Sequence, residues 1–116
     1  MSDTTTAAET TAAAYAISEE YLAAFRGYLR MKSTAQDGEI KDLINAARDD
    51  LVTFGGVLPE RARDESDALI KKAIRAYVLA DFGLDNEDSE KYRASYDKLK
   101  AALALSSDYI DAAEEG

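Results

Sequence analysis

The segment ADFGLDNEDSEKY, residues 80–92, interrupts the strongest helical pattern in the chain. Upstream of it, Leu69, Ile70, Ala73, Ile74, Tyr77, Val78 and Phe82 recur at the spacing of one helix face, and Lys71, Lys72 and Arg75 take the opposite side. Gly83 is a natural stop, because glycine accepts the left-handed conformation that ends many helices. Downstream, Tyr92, Tyr96, Leu99 and Leu103 share one face again. Between the two patterns lies the densest acidic cluster, Asp85, Glu87, Asp88 and Glu90. With Asp85 or Asn86 as cap, Glu87, Asp88 and Glu90 fall in the first turn of a new helix, where each stabilises by about 0.3–1 kcal/mol. Tested as a calcium loop from Asp85, the segment fails: Glu90 stands where glycine is needed and Tyr96 where a bidentate glutamate is needed. It reads as the turn of a helical hairpin, with helices over 67–82 (capped by Ser66) and 87–105.

Two more helices precede this hairpin. Ser18 caps one over 18–31, with Tyr21, Leu22, Phe25, Tyr28 and Leu29 on its apolar face. Gly27 weakens it by roughly 1 kcal/mol against alanine, and a close helix approach is the reason the sequence suggests. Ser33 or Thr34 opens a second helix over 35–54, with Ile40, Leu43, Ile44, Ala47, Leu51 and Phe54 as its buried stripe and Asp37 and Glu39 in its first turn. Gly55-Gly56 ends it. Residues 57–65, VLPERARDE, form a connection in which Pro59 blocks a continuous helix and Val57 and Leu58 tuck against the bundle or a neighbour. No strand pattern competes. The expected fold is all-α: a small bundle of four main helices over residues 17–105, a flexible Thr/Ala-rich tail over 1–16 and an acidic tail over 106–116.

Composition narrows function by exclusion. The 116 residues contain no cysteine and no histidine, which removes thiolate chemistry, zinc–thiolate sites and the usual neutral-pH general base. No enzyme, cofactor or metal is therefore expected. The net charge of −9 argues against gripping nucleic acid, though not against lining a path along which nucleic acid slides. No signal peptide or membrane span is apparent, so a soluble protein is expected. Asp49-Asp50, with Asp42 and Arg48, suggests a divalent cation, but a solvated helix face accounts for it. Gly55-Gly56 lacks the Gly-Lys-Ser/Thr of a phosphate loop. The tyrosines lie on inward stripes and read as core rather than as base-stacking platforms. In the acidic tail, Leu105, Tyr109 and Ile110 make one short amphipathic element, suited to docking on a partner.

The order of these elements resembles the head–tail connector (adaptor) proteins of long-tailed bacteriophages. The likeness is carried by STAQDGEIKDLINAARDDL, then a variable linker, then DALIKKAIRAYVLADFGLDNEDSEKYRASYDKLKAALALSSDY, and more loosely by EEYLAAFRGYLRM. It spans about residues 18–109, and the Thr/Ala-rich start departs from the compact beginning typical of that family. The resemblance implies a structural virion protein in the neck, made in the host cytoplasm. It would form a ring, usually of twelve copies, below the portal protein, completing the DNA-filled head and presenting a surface to the stopper or tail. Double-stranded DNA would pass through without sequence-specific binding. On that reading Leu105, Tyr109 and Ile110 are expected to dock on the portal. Val57, Leu58, Arg61 and Arg63 are expected to meet a ring neighbour or the stopper. The competing reading is a small acidic helical regulator, of antitoxin or anti-repressor type, whose acidic face mimics nucleic acid.

Overall fold

The computed structural model describes residues 16–83 and 87–110. Among them run five helices: α1 Glu19–Tyr28, α2 Asp37–Thr53, α3 Pro59–Ala62, α4 Ala68–Asp81 and α5 Ser89–Ala104. The only extended pairing among these residues is an isolated bridge between Val57 and Ile110. The all-helical expectation holds, with one helix more than the four expected. Pro59 does not merely block a helix; it begins α3 at the position where its fixed φ and missing N–H cost nothing.

The helix boundaries follow local chemistry, not always that of the residue expected. Ser18 caps α1, its Oγ accepting from the Tyr21 N–H at 3.1 Å. Asp67 rather than Ser66 caps α4, accepting from Ile70 N–H at 3.0 Å, while the Ser66 hydroxyl donates to Asp64 at 2.6 Å. Neither Ser33 nor Thr34 caps α2, which starts after Gln36 with no side-chain cap. Residues 84–86, where Asp85 and Asn86 were expected to cap the last helix, lie outside the described residues, as do 1–15 and 111–116. The described start of α5 is held instead by the Ser89 hydroxyl, which donates to the Ala80 carbonyl at 2.7 Å and ties it to the end of α4. α1 ends with Arg30 in the left-handed region at φ 60°, with Met31 N–H on the Arg26 carbonyl and Arg30 N–H on that of Gly27. That is the bond pattern of a glycine-type stop made by a residue that carries a Cβ.

α4 is the centre of the bundle, packing on α5, α2 and α1. Its stripe of Ile70, Ala73, Ile74 and Val78 meets Ile40, Ile44, Ala47 and Leu51 of α2, Leu22 and Phe25 of α1, and Tyr96 and Leu103 of α5 in one buried cluster. Each such aliphatic side chain contributes roughly 1.5–3 kcal/mol on burial. Two stripe residues depart from expectation. Phe54 is 75% exposed, because it stands just past the end of α2, where helical spacing no longer sets its direction. Leu69, in the first turn of α4 at the edge of the stripe, is exposed as well. The suggested close approach at Gly27 is also absent, since a Cβ there would meet nothing within 4 Å.

Ion pairs join the helices around this core. Arg26 of α1 bonds Glu19 and, at 2.9 Å, Asp37 of α2. Arg93 of α5 bonds Asp81 of α4. Lys100 of α5 bonds Asp50 of α2 at 2.9 Å.

Candidate functional site

The residues singled out for partner contacts come from two stretches about fifty positions apart in sequence, and the fold brings most of them together. The path begins at Gly55-Gly56. A Cβ at Gly55 would sit 2.7 Å from the Leu51 carbonyl oxygen, and Gly56 adopts φ 71°. Two glycines thus let the chain fold tightly over the end of α2, and Val57 N–H donates to the Leu51 carbonyl at 3.0 Å. The turn drives the Val57 side chain into the core. After α5, Ser106 accepts from the N–H groups of Tyr109 and Ile110, forming a turn that returns the chain to the linker. There Ile110 pairs with Val57, and Leu58 N–H donates to the Tyr109 carbonyl at 2.8 Å.

Tyr109 is the joint of this clasp. Its hydroxyl donates to Asp67 Oδ1 at 3.2 Å, the oxygen that also caps α4. The Arg61 guanidinium lies 5.9 Å from its ring centroid, within cation–π range. Burial, reinforced by the Asp67 hydrogen bond, raises the Tyr109 hydroxyl above its ordinary pKa. Arg63 sits to one side, in a groove of about 220 Å³ between α2 and α3 that Arg48, Val52, Pro59 and Ala62 also line. Leu105 stays apart from the clasp and is 87% exposed. The expected division at residue 105 between helical body and tail therefore does not describe residues 106–110, which fold back on the body. Val57, expected to tuck against the bundle or a neighbour, is buried in the core of the bundle.

The acids of α2 also take places that helical spacing did not reveal. Asp50 is not on a solvated face: one carboxylate oxygen accepts from both the Tyr96 hydroxyl and Lys100. Burial pushes the Asp50 carboxyl up, but these bonds and the charges of Lys100 and Arg93 outweigh it and hold the pKa below the usual carboxylate range. Arg48 is buried. Its Nη1 donates to the Ala16 carbonyl at 3.0 Å and to Asn45 at 3.2 Å, and its Nη2 lies 3.6 Å from Glu65. Glu65 in turn accepts from the Ser18 backbone N–H and hydroxyl, anchoring the start of α1 to the linker. Burial lowers the Arg48 pKa, partly offset by Tyr21 and Glu65. Among the described residues no three acids gather as a metal site, and no helix is long and apolar enough to cross a membrane.

Sequence reading missed Asp67 and Glu65, and it placed the buried Arg48 on a solvated helix face. Only Asp67 carried a usable signal, since it directly precedes an apolar run and competes with Ser66 as a cap.

The geometry describes a helical body whose linker and C-terminal segment are locked together. The family model described as phage connector protein matches residues 22–110, from α1 to the end of the clasp. The chain belongs to the phage connector protein family. Membership gives it a structural connector role in a bacteriophage, in agreement with the resemblance noted from its sequence. No curated protein and no solved structure matches this connector chain.

Proposed function

We propose that this chain is a head–tail connector (adaptor) subunit of a bacteriophage neck. Copies form a ring, twelve in number if the family resemblance carries over, below the portal of the DNA-filled head. The ring completes the head, offers the attachment surface for the stopper or tail, and lets double-stranded DNA pass through its centre. The observation that carries this reading is the family match over residues 22–110, which covers nearly all of the described helical body. Two physical features support it. A chain of net charge −9 presents a surface that repels phosphate, so a duplex slides without sticking. A domain of this size buries a modest share of its surface alone, and contacts with neighbours add stability.

The C-terminal segment is the proposed portal-docking element, with Leu105 as its exposed anchor and Tyr109 and Ile110 fixing its direction. Leu58, Arg61 and Arg63 face a ring neighbour or the stopper. The test is co-assembly. Purified chain is mixed with portal-bearing, DNA-filled heads of the parent particle and the vertex is imaged by electron microscopy. Added ring density below the portal is the expected result. Its absence, with folded protein and intact portals, refutes the reading and favours the acidic regulator. Leu105→Ser separates docking from folding, because that side chain is exposed: ring attachment should fall while the melting temperature stays unchanged.

A further inference from the structure

Among the described residues, four of the chain's fourteen cations form ion pairs. Arg26, Arg48, Arg93 and Lys100 are each used inside the chain in ion pairs. Lys71, Lys72 and Arg75 are not: among the described residues no carboxylate stands within ion-pair distance of them. They line two adjoining grooves that share Lys72 and Arg75. One, about 300 Å³, lies between α1 and α4 over Tyr28 and Ala68. The other, about 280 Å³, lies between α4 and α5 and contains Leu79, Tyr92 and Ser95. No described acid lines either groove. The Arg75 guanidinium rests 4.2 Å from the Tyr28 ring centroid, with Lys71 5.8 Å from the same ring. The ring orients these cations without neutralising them.

The complementary surface lies on α2. Asp42 and Asp49 are exposed and fall on the stripe opposite Ile40, Ile44, Ala47 and Leu51, the side buried against α4, and Glu39 is exposed on the flank beside Asp42. Glu39 and Asp42 are three residues apart, one turn of helix, as are Lys72 and Arg75. Because α2 and α4 pack through their inner faces, the acidic stripe and the basic groove turn away from each other within one chain. They can meet only between copies. A contact between two different faces is heterologous, the kind that closes into a ring when the rotation per copy fits.

We infer that the ring-neighbour contact is the outward face of α2, through Glu39 and Asp42, seated on the Lys72–Arg75 groove of α4 in the next copy. The inference rests on the ring reading above. Tyr28, Leu79 and Tyr92 supply apolar surface in the groove, and the paired charges fix register and direction. The contact also reconciles self-association with a net charge that otherwise repels identical copies.

Charge reversal on portal-bearing heads tests it. K72E/R75E and E39K/D42K should each abolish ring density, and the chain carrying all four changes should restore it. All four side chains are exposed, so circular dichroism should show each variant folded. Ring density that survives either reversal overturns the contact. So does a folded fourfold variant that forms no ring, the result expected if the groove instead holds DNA phosphate or an acidic portal surface. Failure of the wild-type chain to form any ring refutes the ring reading and this contact with it. A second variant covers poor folding of the swapped chain. The protein has no cysteine, so D42C/R75C should give an oxidised ladder of covalent oligomers on heads. Monomer alone, on heads that carry the ring, overturns the contact.

Discussion

Replacing Tyr96 with phenylalanine isolates one hydrogen bond that holds α5 to α2. The Tyr96 ring is buried and meets Tyr77 edge-on at 5.1 Å between centroids, and a phenylalanine keeps that packing. What is lost is the hydroxyl that donates to Asp50, whose carboxylate keeps Lys100. A hydrogen bond to a charged group contributes roughly 1.5–3 kcal/mol. The Asp50 side chain is 22% exposed, so water replaces part of the loss and the expected cost falls to about 1–2 kcal/mol. At roughly 4–8 °C per kcal/mol for a domain of this size, the melting temperature should drop by about 4–16 °C. Tyr96→Ala removes the ring as well and should cost about 3–5 kcal/mol. Acid supplies an internal control. The folded-state pKa of Asp50 lies below its unfolded value of about 3.9. Its contribution is therefore complete above that pH and is lost as pH falls through the folded value. Tyr96→Phe moves the folded pKa back toward the unfolded one. Urea titrations should thus show a constant gap between wild type and variant near neutrality that closes below about pH 4. A phenylalanine variant as stable as wild type at pH 7, or a gap that persists unchanged in acid, refutes the reasoning.

Five further substitutions have expected outcomes in equilibrium unfolding. Gly55→Ala should destabilise by about 1–3 kcal/mol, because its Cβ would press on the Leu51 carbonyl, whereas Gly27→Ala should stabilise by about 0.5–1 kcal/mol with open space around it. Glu65→Ala strands the buried Arg48 and should cost about 3 kcal/mol or more, whereas Arg48→Met, which removes the charge and the unpartnered Nε together, should be close to neutral. Arg30→Gly relieves a left-handed backbone that carries a Cβ and should raise stability by about 1 kcal/mol, read as a higher urea midpoint with unchanged slope.

The helices and most of the core were legible because both depend on local information. Ile40, Ile44, Leu51, Ile70, Ile74, Val78, Tyr96 and Leu103 recur at helical spacing, and burial follows from that spacing once any partner helix is present. The hairpin reading of residues 80–92 rests on the same footing, with Gly83 at φ 83° and Ser89 closing on Ala80. Local rules failed where two adjacent residues could do one job, as with Ser66 and Asp67, or where a helix had already ended, as with Phe54.

The sequence by itself determined an all-helical, acidic chain without thiol or imidazole chemistry, and the order of its elements pointed to the connector family. Tertiary structure alone decided which charges are used inside the molecule and which face outward. Periodicity places Asp50 on the edge of a helix face, yet whether it is solvated depends on Tyr96 and Lys100, which lie 46 and 50 residues away. It places Val57 and Ile110 in a linker and a tail, yet their pairing requires the whole bundle to bring the two ends of that path together. One-dimensional spacing specifies the face of an element. The neighbour of that face is set by packing, which no local pattern encodes.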